Sequence, residues 1–253
     1  MEIAAKRRNW TREDLILAFN LYCRTPFGRI HTRNPAIISL AKEIGRTPSA
    51  VSWKLANFAR LDPTLAQRSV KGASHGSKEE VRIWEEFQDN WEQLTFESQM
   101  AGEKVSALAA EFEAKDFPVG ESKEAIVRIR VNQSFFRSAI LAAYQDTCCI
   151  TGINLPELLS ASHIVPWKVD VKNRTNPQNG LCLNALHDRA FDRGLITITD
   201  NYKVKLSKRI KRVVNTSFQK MMNEFDGADI RLPSHFLPSQ EFLHYHRENI
   251  FQS

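Results

Sequence analysis

His163, Asn179 and His187 stand close together in one stretch of the chain, and their types suit phosphodiester hydrolysis. Such a reaction needs a base to deprotonate water for in-line attack, and neutral imidazole has a suitable pKa. It also needs a divalent cation to offset charge on the scissile phosphate and on the leaving 3′ oxygen. Imidazole together with a carboxylate or amide oxygen can hold that cation and leave positions open for phosphate and water. Each residue also has a plainer reading: a hydrogen-bonded histidine on a strand, an Asn-Gly turn, a surface histidine on a short helix. Their order along the chain decides against that.

The surrounding pattern predicts elements able to bring the three together. Leu159–Val165 reads as a strand stopped by Pro166, with Leu159, Ala161, His163 and Val165 on one face by period two. Asp170 to Pro177 is a polar loop. Asn179-Gly180 is a turn signal, and Leu181-Cys182-Leu183 is a short apolar strand. Asn184 can cap a helix through Phe191 that Gly194 closes. Strand, loop, strand and helix would set His163 opposite His187, with Asn179 beside them.

Three segments, Ser162-His163-Ile164-Val165-Pro166-Trp167, Asn176-Pro177-Gln178-Asn179-Gly180-Leu181 and Leu186-His187-Asp188-Arg189-Ala190-Phe191-Asp192-Arg193-Gly194, carry a resemblance to a known family. Together they resemble the motif of HNH endonucleases, in the variant of predicted restriction endonucleases with a ββα-metal finger. The similarity extends from about Arg128 to Phe251 and takes in Asn132-Gln133, Phe136-Arg137, Cys149-Ile150-Thr151-Gly152 and His246-Arg247. It implies that His163 is the general base and His187 a metal ligand. Asn179 would orient the base or help at the metal. Asp188 and Asp192, one helical turn apart, share a face, and either could be a further ligand, with Asp192 slightly preferred.

The implied cofactor is a divalent ion, Mg2+ first, with Mn2+, Ni2+ or Zn2+ as alternatives. The implied substrate is DNA, and a homodimer would allow both strands to be cut. A DNA-binding regulator with a catalytically silent finger is the competing reading. Two departures from the family stand out. Ser162 occupies a position that often carries an Asp or His ligand. In place of two CxxC pairs there are only Cys149 and Cys182, so packing of Trp167, Leu183, Phe191 and Leu195 is expected to hold the finger. Arg174, Arg189 and Arg193 are candidate phosphate contacts, or else parts of a solvated face. His235, His244 and His246 read as structural.

Upstream, the pattern is helical. Thr11 with Asp14 outlines a capping box ahead of Leu15, Ala18, Phe19 and Tyr22. A second helix is predicted from Pro35, and a third from Pro48 with Thr47 as its cap. Ala41, Gly45 and Val51 have helix-turn-helix spacing. A recognition helix would present Ser49, Ser52, Trp53 and Lys54 to DNA, with Arg46 near a phosphate. A plain helical hairpin is the alternative, and Trp10 and Trp53 are read as core rather than stacking platforms. Lys78 to Glu113 reads as helical, with Val81, Trp84, Phe87 and Trp91 on one face.

The predicted fold class is therefore α+β: a helical, helix-turn-helix-like domain over 1–117 and an HNH domain with a ββα-metal finger over 118–253. The length of 253 residues, 42% of them hydrophobic and 25% charged, excludes wholesale disorder. A net charge of +6 favours a polyanionic partner. No apolar run is long enough to span a bilayer and no signal-peptide stretch lies near Met1, so the expected address is cytoplasmic. Four cysteines without a CxxC indicate reduced, mostly buried thiols.

Overall fold

The computed structural model describes residues 8–67, 76–102 and 123–253. It divides into two compact units, Met1–Phe136 and Arg137–Ser253. The boundary expected near residue 117 lies outside the described residues.

In the first unit, α1 (Arg12–Cys23) begins at the expected box: Thr11 Oγ1 accepts from Asp14 N and Asp14 Oδ2 accepts from Thr11 N, both at 3.2 Å. Such a cap contributes about 1 kcal/mol. The helix is lined by Phe19 and Tyr22, both fully buried. Around Phe19 pack Phe58 (4.9 Å between ring centroids), Trp84 (5.3 Å) and Trp91 (6.0 Å). These rings come from α3 (Pro48–Ala59), α5 (Lys78–Phe87) and α6 (Trp91–Ala101), so α1 is the central member of the bundle. The helix predicted over 78–113 is thus two helices, broken at 88–90, and its end lies outside the described residues.

The α2–turn–α3 hairpin forms as predicted. α2 (Pro35–Glu43) and α3 are joined through Gly45 at φ +63°, and Thr47 Oγ1 accepts from Ala50 N at 3.2 Å. Ile37, Ala41, Val51 and Leu55 are buried along it. A short helix, α4 (Pro63–Gln67), follows.

α7 (Lys123–Ala143) spans the division between the units. In the second unit, β1 (Leu159–His163) and β2 (Gly180–Asn184) form an antiparallel hairpin that pairs Ser162 with Leu181 and His163 with Gly180. α8 (Ala185–Asp192) follows β2 directly and packs on both strands. A second hairpin, β3 (Ile196–Ile198) with β4 (Val204–Leu206), leads through α9 (Lys208–Lys211) and α10 (Thr216–Asn223) to α11 (Gln240–Asn249). The predicted order of strand, loop, strand and helix is present, although β1 ends two residues earlier than predicted.

α11 fixes α8. The His246 ring stacks on Phe191 at 3.7 Å and donates from Nε2 to the Phe191 carbonyl at 3.1 Å, while its Nδ1 accepts from the Thr197 hydroxyl at 2.9 Å. Gly194 closes α8 at φ +64°, and a Cβ there would lie 1.9 Å from the Ile250 carbonyl oxygen. The approach is so close because Gln252 N donates to Gly194 O at 2.8 Å. Among the described residues, no helix is long and apolar enough to cross a membrane.

Candidate active site

His163 is the last residue of β1 and is half-buried. Its Nε2 lies 2.8 Å from the Arg174 carbonyl. A carbonyl can only accept, so Nε2 carries the proton and Nδ1 carries the lone pair of the neutral ring. Burial pushes the pKa below the usual histidine value, partly offset by the bond to Arg174 O, so the neutral form is favoured. The Trp167 ring meets the imidazole edge-on at 5.5 Å.

The loop that supplies the Arg174 carbonyl is built by acidic and amide side chains at every third position. Asp170 accepts from Asn173 N (3.2 Å) and Asn173 Nδ2 (2.7 Å). Asn173 Oδ1 accepts from Asn176 Nδ2 at 3.0 Å, and Asn176 Oδ1 accepts from Gln178 N at 3.0 Å. Asn179, fully buried, ties this loop to the end of β1. Its Oδ1 accepts from Val165 N at 2.8 Å, and its Nδ2 donates to Val165 O and Asn173 O, both at 3.2 Å. Asn179 therefore holds the backbone of the loop whose Arg174 carbonyl meets His163. The sequence reading passed over Asp170, Asn173 and Asn176 as polar loop; their three-residue period was the available signal.

His187 lies in the first turn of α8, 2% exposed. Asn184 Oδ1 accepts from Leu186 N (3.1 Å), His187 N (3.0 Å) and His187 Nδ1 (3.1 Å). The helix cap thus fixes the His187 tautomer: Nδ1 is protonated and the lone pair is on Nε2. That Nε2 is buried and has no hydrogen-bond partner among the described residues. Ser162 Oγ and Thr175 Oγ1 are two further buried atoms of this hairpin in the same condition. Burial also lowers the His187 pKa and keeps the ring neutral, as a metal ligand must be.

The helix carboxylates sit elsewhere. Asp192 is exposed and Asp188 half-buried, and Asp192 follows His187 by five residues, about 140° around the helix. The Asp192 carboxyl is raised above the usual range by the protein packed around it and by Asp188. Among the described residues, no group of three or more His, Cys, Asp or Glu side chains is gathered as a cation would need. One imidazole therefore fits a ligand role, and the carboxylates expected to join it are not brought to it.

Arg174 donates from Nε to the Trp167 carbonyl at 2.7 Å, with its guanidinium 5.1 Å from that ring, so it braces the loop. Arg189 and Arg193 are exposed. Cys148, Cys149 and Cys182 are buried and unbridged. Cys148 Sγ accepts from Asn184 N at 3.2 Å, while burial raises the Cys149 thiol well above its usual range and Cys182 to about 12. Protonated thiols are poor zinc ligands. Of the four residues expected to hold the finger by packing, Leu183 and Phe191 are buried and Trp167 and Leu195 half-buried. His235 and His246 are buried and bonded, in line with a structural role, and His244 is exposed.

Residues 148–199 match the family model of HNH endonucleases. The matched segment contains β1, β2 and α8 whole and ends just after β3, a shorter span than the motif resemblance over about 128–251. It supports nuclease activity. A comparison with curated proteins gives no match.

In the first unit, two of the residues expected to contact DNA are engaged within the protein. Lys54, expected outward, is buried and paired with Glu80, a carboxylate that also accepts from Asn57 Nδ2 and Ser77 N, both at 2.9 Å. Arg46 is taken up by the Arg8 carbonyl (2.8 Å), the Asn9 carbonyl (2.7 Å) and Asp14 (3.2 Å), with its guanidinium 4.4 Å from the Trp10 ring. Ser49 is exposed as expected, and Trp53, read as core, is 64% exposed.

Proposed function

We propose that the protein is a metal-dependent DNA endonuclease whose HNH finger hydrolyses phosphodiester bonds with water activated by His163. The observation that carries this reading is a pair of imidazoles with tautomers fixed by different partners. His163 offers a basic Nδ1, and His187 keeps an unprotonated Nε2 with no partner among the described residues. A divalent ion, Mg2+ or else Mn2+, Ni2+ or Zn2+, would supply charge compensation at the phosphate and the leaving oxygen. His187 would hold it.

His163 Nδ1 takes a proton from water, the water oxygen bonds to phosphorus, and the bond to the 3′ oxygen breaks. Arg174 O stabilises the imidazolium by continuing to accept from Nε2. Arg189, Arg193 and the terminal amino groups of Arg174 are suited to phosphates beside the scissile one. One finger cuts one strand, so a double-strand break would take two copies of the chain. The exposed Trp53 and Ser49 of α3 are the remaining candidates for DNA contact by the first unit. A restriction or defence role follows from the family resemblance.

A second reading is favoured by Ser162 standing in place of an acidic ligand: a DNA-binding regulator with a silent finger. Supercoiled plasmid incubated with the protein and each ion separates the two. Nicking that is lost with EDTA, His163→Ala and His187→Ala supports the endonuclease. Binding without nicking under every ion supports the regulator.

A further inference from the structure

Positive charge is spread unevenly along the chain. Between Lys203 and Lys220 there are seven basic residues and no Asp or Glu. The whole chain has 35 basic and 29 acidic residues, and without this stretch 28 basic stand against 29 acidic. The net charge of +6 therefore resides here. The stretch begins beyond the segment that matches the family model, which ends at residue 199.

The fold turns these side chains outward. β4 buries Val204 and Leu206 and leaves Lys205 exposed between them. Ser207 Oγ caps α9 by accepting from Ile210 N at 3.4 Å, and Ile210, 1% exposed, anchors that helix. At 3.6 residues per turn, Lys208, Arg209, Lys211 and Arg212 occupy the arc facing away from Ile210, and all four are exposed. Lys203 pairs with Asp229 (2.9 Å) and Lys211 with Asp226 (2.6 Å). Among the described residues, Lys205, Lys208, Arg209, Arg212 and Lys220 are in no ion pair. The stretch is also fastened to the finger. Ser207 N donates to Leu195 O at 2.9 Å, and Asp226 Oδ1 accepts from Leu206 N at 3.0 Å. The adjacent Phe225 ring meets the His187 imidazole edge-on at 5.5 Å.

We propose that β4, α9 and α10 form a second contact surface for duplex DNA, which grips the sugar-phosphate backbone beside the finger without reading sequence. Unpaired Lys and Arg side chains displace condensed counterions from phosphates, and the guanidinium fork matches two phosphate oxygens. With the remainder of the chain close to neutral, this surface supplies the long-range attraction for a polyanion. An anionic lipid surface is matched instead by a helix with an exposed apolar face, whereas the one apolar residue of α9 is buried. The occupant rests on the reading above that the substrate is DNA, but the surface does not need an active finger.

Fluorescence anisotropy of the full chain with a labelled duplex of about 30 base pairs, in EDTA and over a range of salt, tests this. Circular dichroism checks the folding of each variant. Lys208→Ser/Arg209→Ser/Arg212→Ser should weaken binding by about 10- to 100-fold at about 0.1 M salt and reduce the salt slope by about two to three. Arg33→Ser/Lys42→Ser/Lys78→Ser removes the same charge from exposed positions of the first unit and should change affinity by less than about three-fold. Equal losses from the two variants, or no loss from the first, overturn the inference. Binding to phosphatidylserine vesicles in place of the duplex overturns it too. Duplex binding lost in the first variant, without plasmid nicking by the parent under any ion, upholds it while the nuclease reading falls. Nicking with duplex affinity unmoved by the first variant does the reverse.

Discussion

His163 donates its Nε2 proton to the carbonyl of Arg174, and this one bond determines which nitrogen of the ring is basic. Replacement by Ala removes the base proposed above without touching His187. Plasmid nicking should fall by about 10²–10⁴-fold, the range for a positioned general base. Added imidazole should restore part of the rate. Equal nicking by His163→Ala and the parent would mean that His163 is not the base.

Asn179 makes three hydrogen bonds that hold the Arg174 loop against the end of β1. Asn179→Asp keeps the size but turns a donor into an acceptor facing the Val165 and Asn173 carbonyls. The expected result is a loss of about 2–4 kcal/mol in urea unfolding, from unmade buried bonds and a buried charge. Nicking should drop by about 10–100-fold, in the manner of an outer residue that orients a catalytic group. Full activity with undiminished stability would assign Asn179 to the turn alone.

Lys54 and Glu80 form a buried pair between α3 and α5. Lys54→Met leaves the carboxylate uncompensated and should cost about 3–5 kcal/mol by chemical denaturation. Adding Glu80→Gln should recover part of that loss, since the amide still accepts from Ser77 N. The salt dependence of DNA binding should not change. A slope reduced by about one would return Lys54 to the DNA-facing role first expected for it.

Much of this was legible in the sequence, wherever a local rule dictated the outcome. Thr11 with Asp14, Thr47 before Pro48, Asn184 as a cap and Gly194 at positive φ each do what their residue types require. The finger's element order followed from period and turn signals. Lys54 was misplaced because charge was taken to mean exposure. Yet it lies three residues after Val51 and four before Phe58, on the buried face. Trp53 was misread for the converse reason: size was taken to mean burial. Tautomers were out of reach altogether, because they depend on the Arg174 carbonyl and the Asn184 amide arriving beside particular ring nitrogens.

His246 links acidity to stability. Burial, the largest influence, pushes its pKa down to about 4, against the upward pull of Phe191 O, and neighbouring Arg247 lowers it further. The other groups at the ring are the Phe191 ring and the Thr197 hydroxyl, while Arg247 is held by Asp200 and the Ile198 carbonyl. The unfolded chain takes up a proton near 6.5 and the folded chain only near 4. This contribution is therefore complete above about pH 6.5 and lost as pH falls towards 4, by roughly 3 kcal/mol in all. His163 and His187 act in the same direction, so the comparison is with His246→Asn. Urea midpoints between pH 7 and pH 4 should fall less steeply for the variant. Parallel curves would show that His246 is protonated in the folded state.

Trp53 is exposed on α3, so Trp53→Ala should change unfolding by less than about 0.5 kcal/mol. If α3 meets DNA, the same change should weaken binding to a duplex in a fluorescence titration. Unaltered affinity would leave DNA contact to the second unit.

Ser162 and His163 are consecutive residues on one strand, so the pleat sends them to opposite sides. The two side chains are thereby kept as separate parts, although only one peptide bond lies between them. Position 162 can be altered while the hydrogen bond between His163 and the Arg174 carbonyl stays intact. Inserting or deleting one residue in β1 would exchange the two faces. The strand thus tolerates a change of residue at 162 but not a change in length.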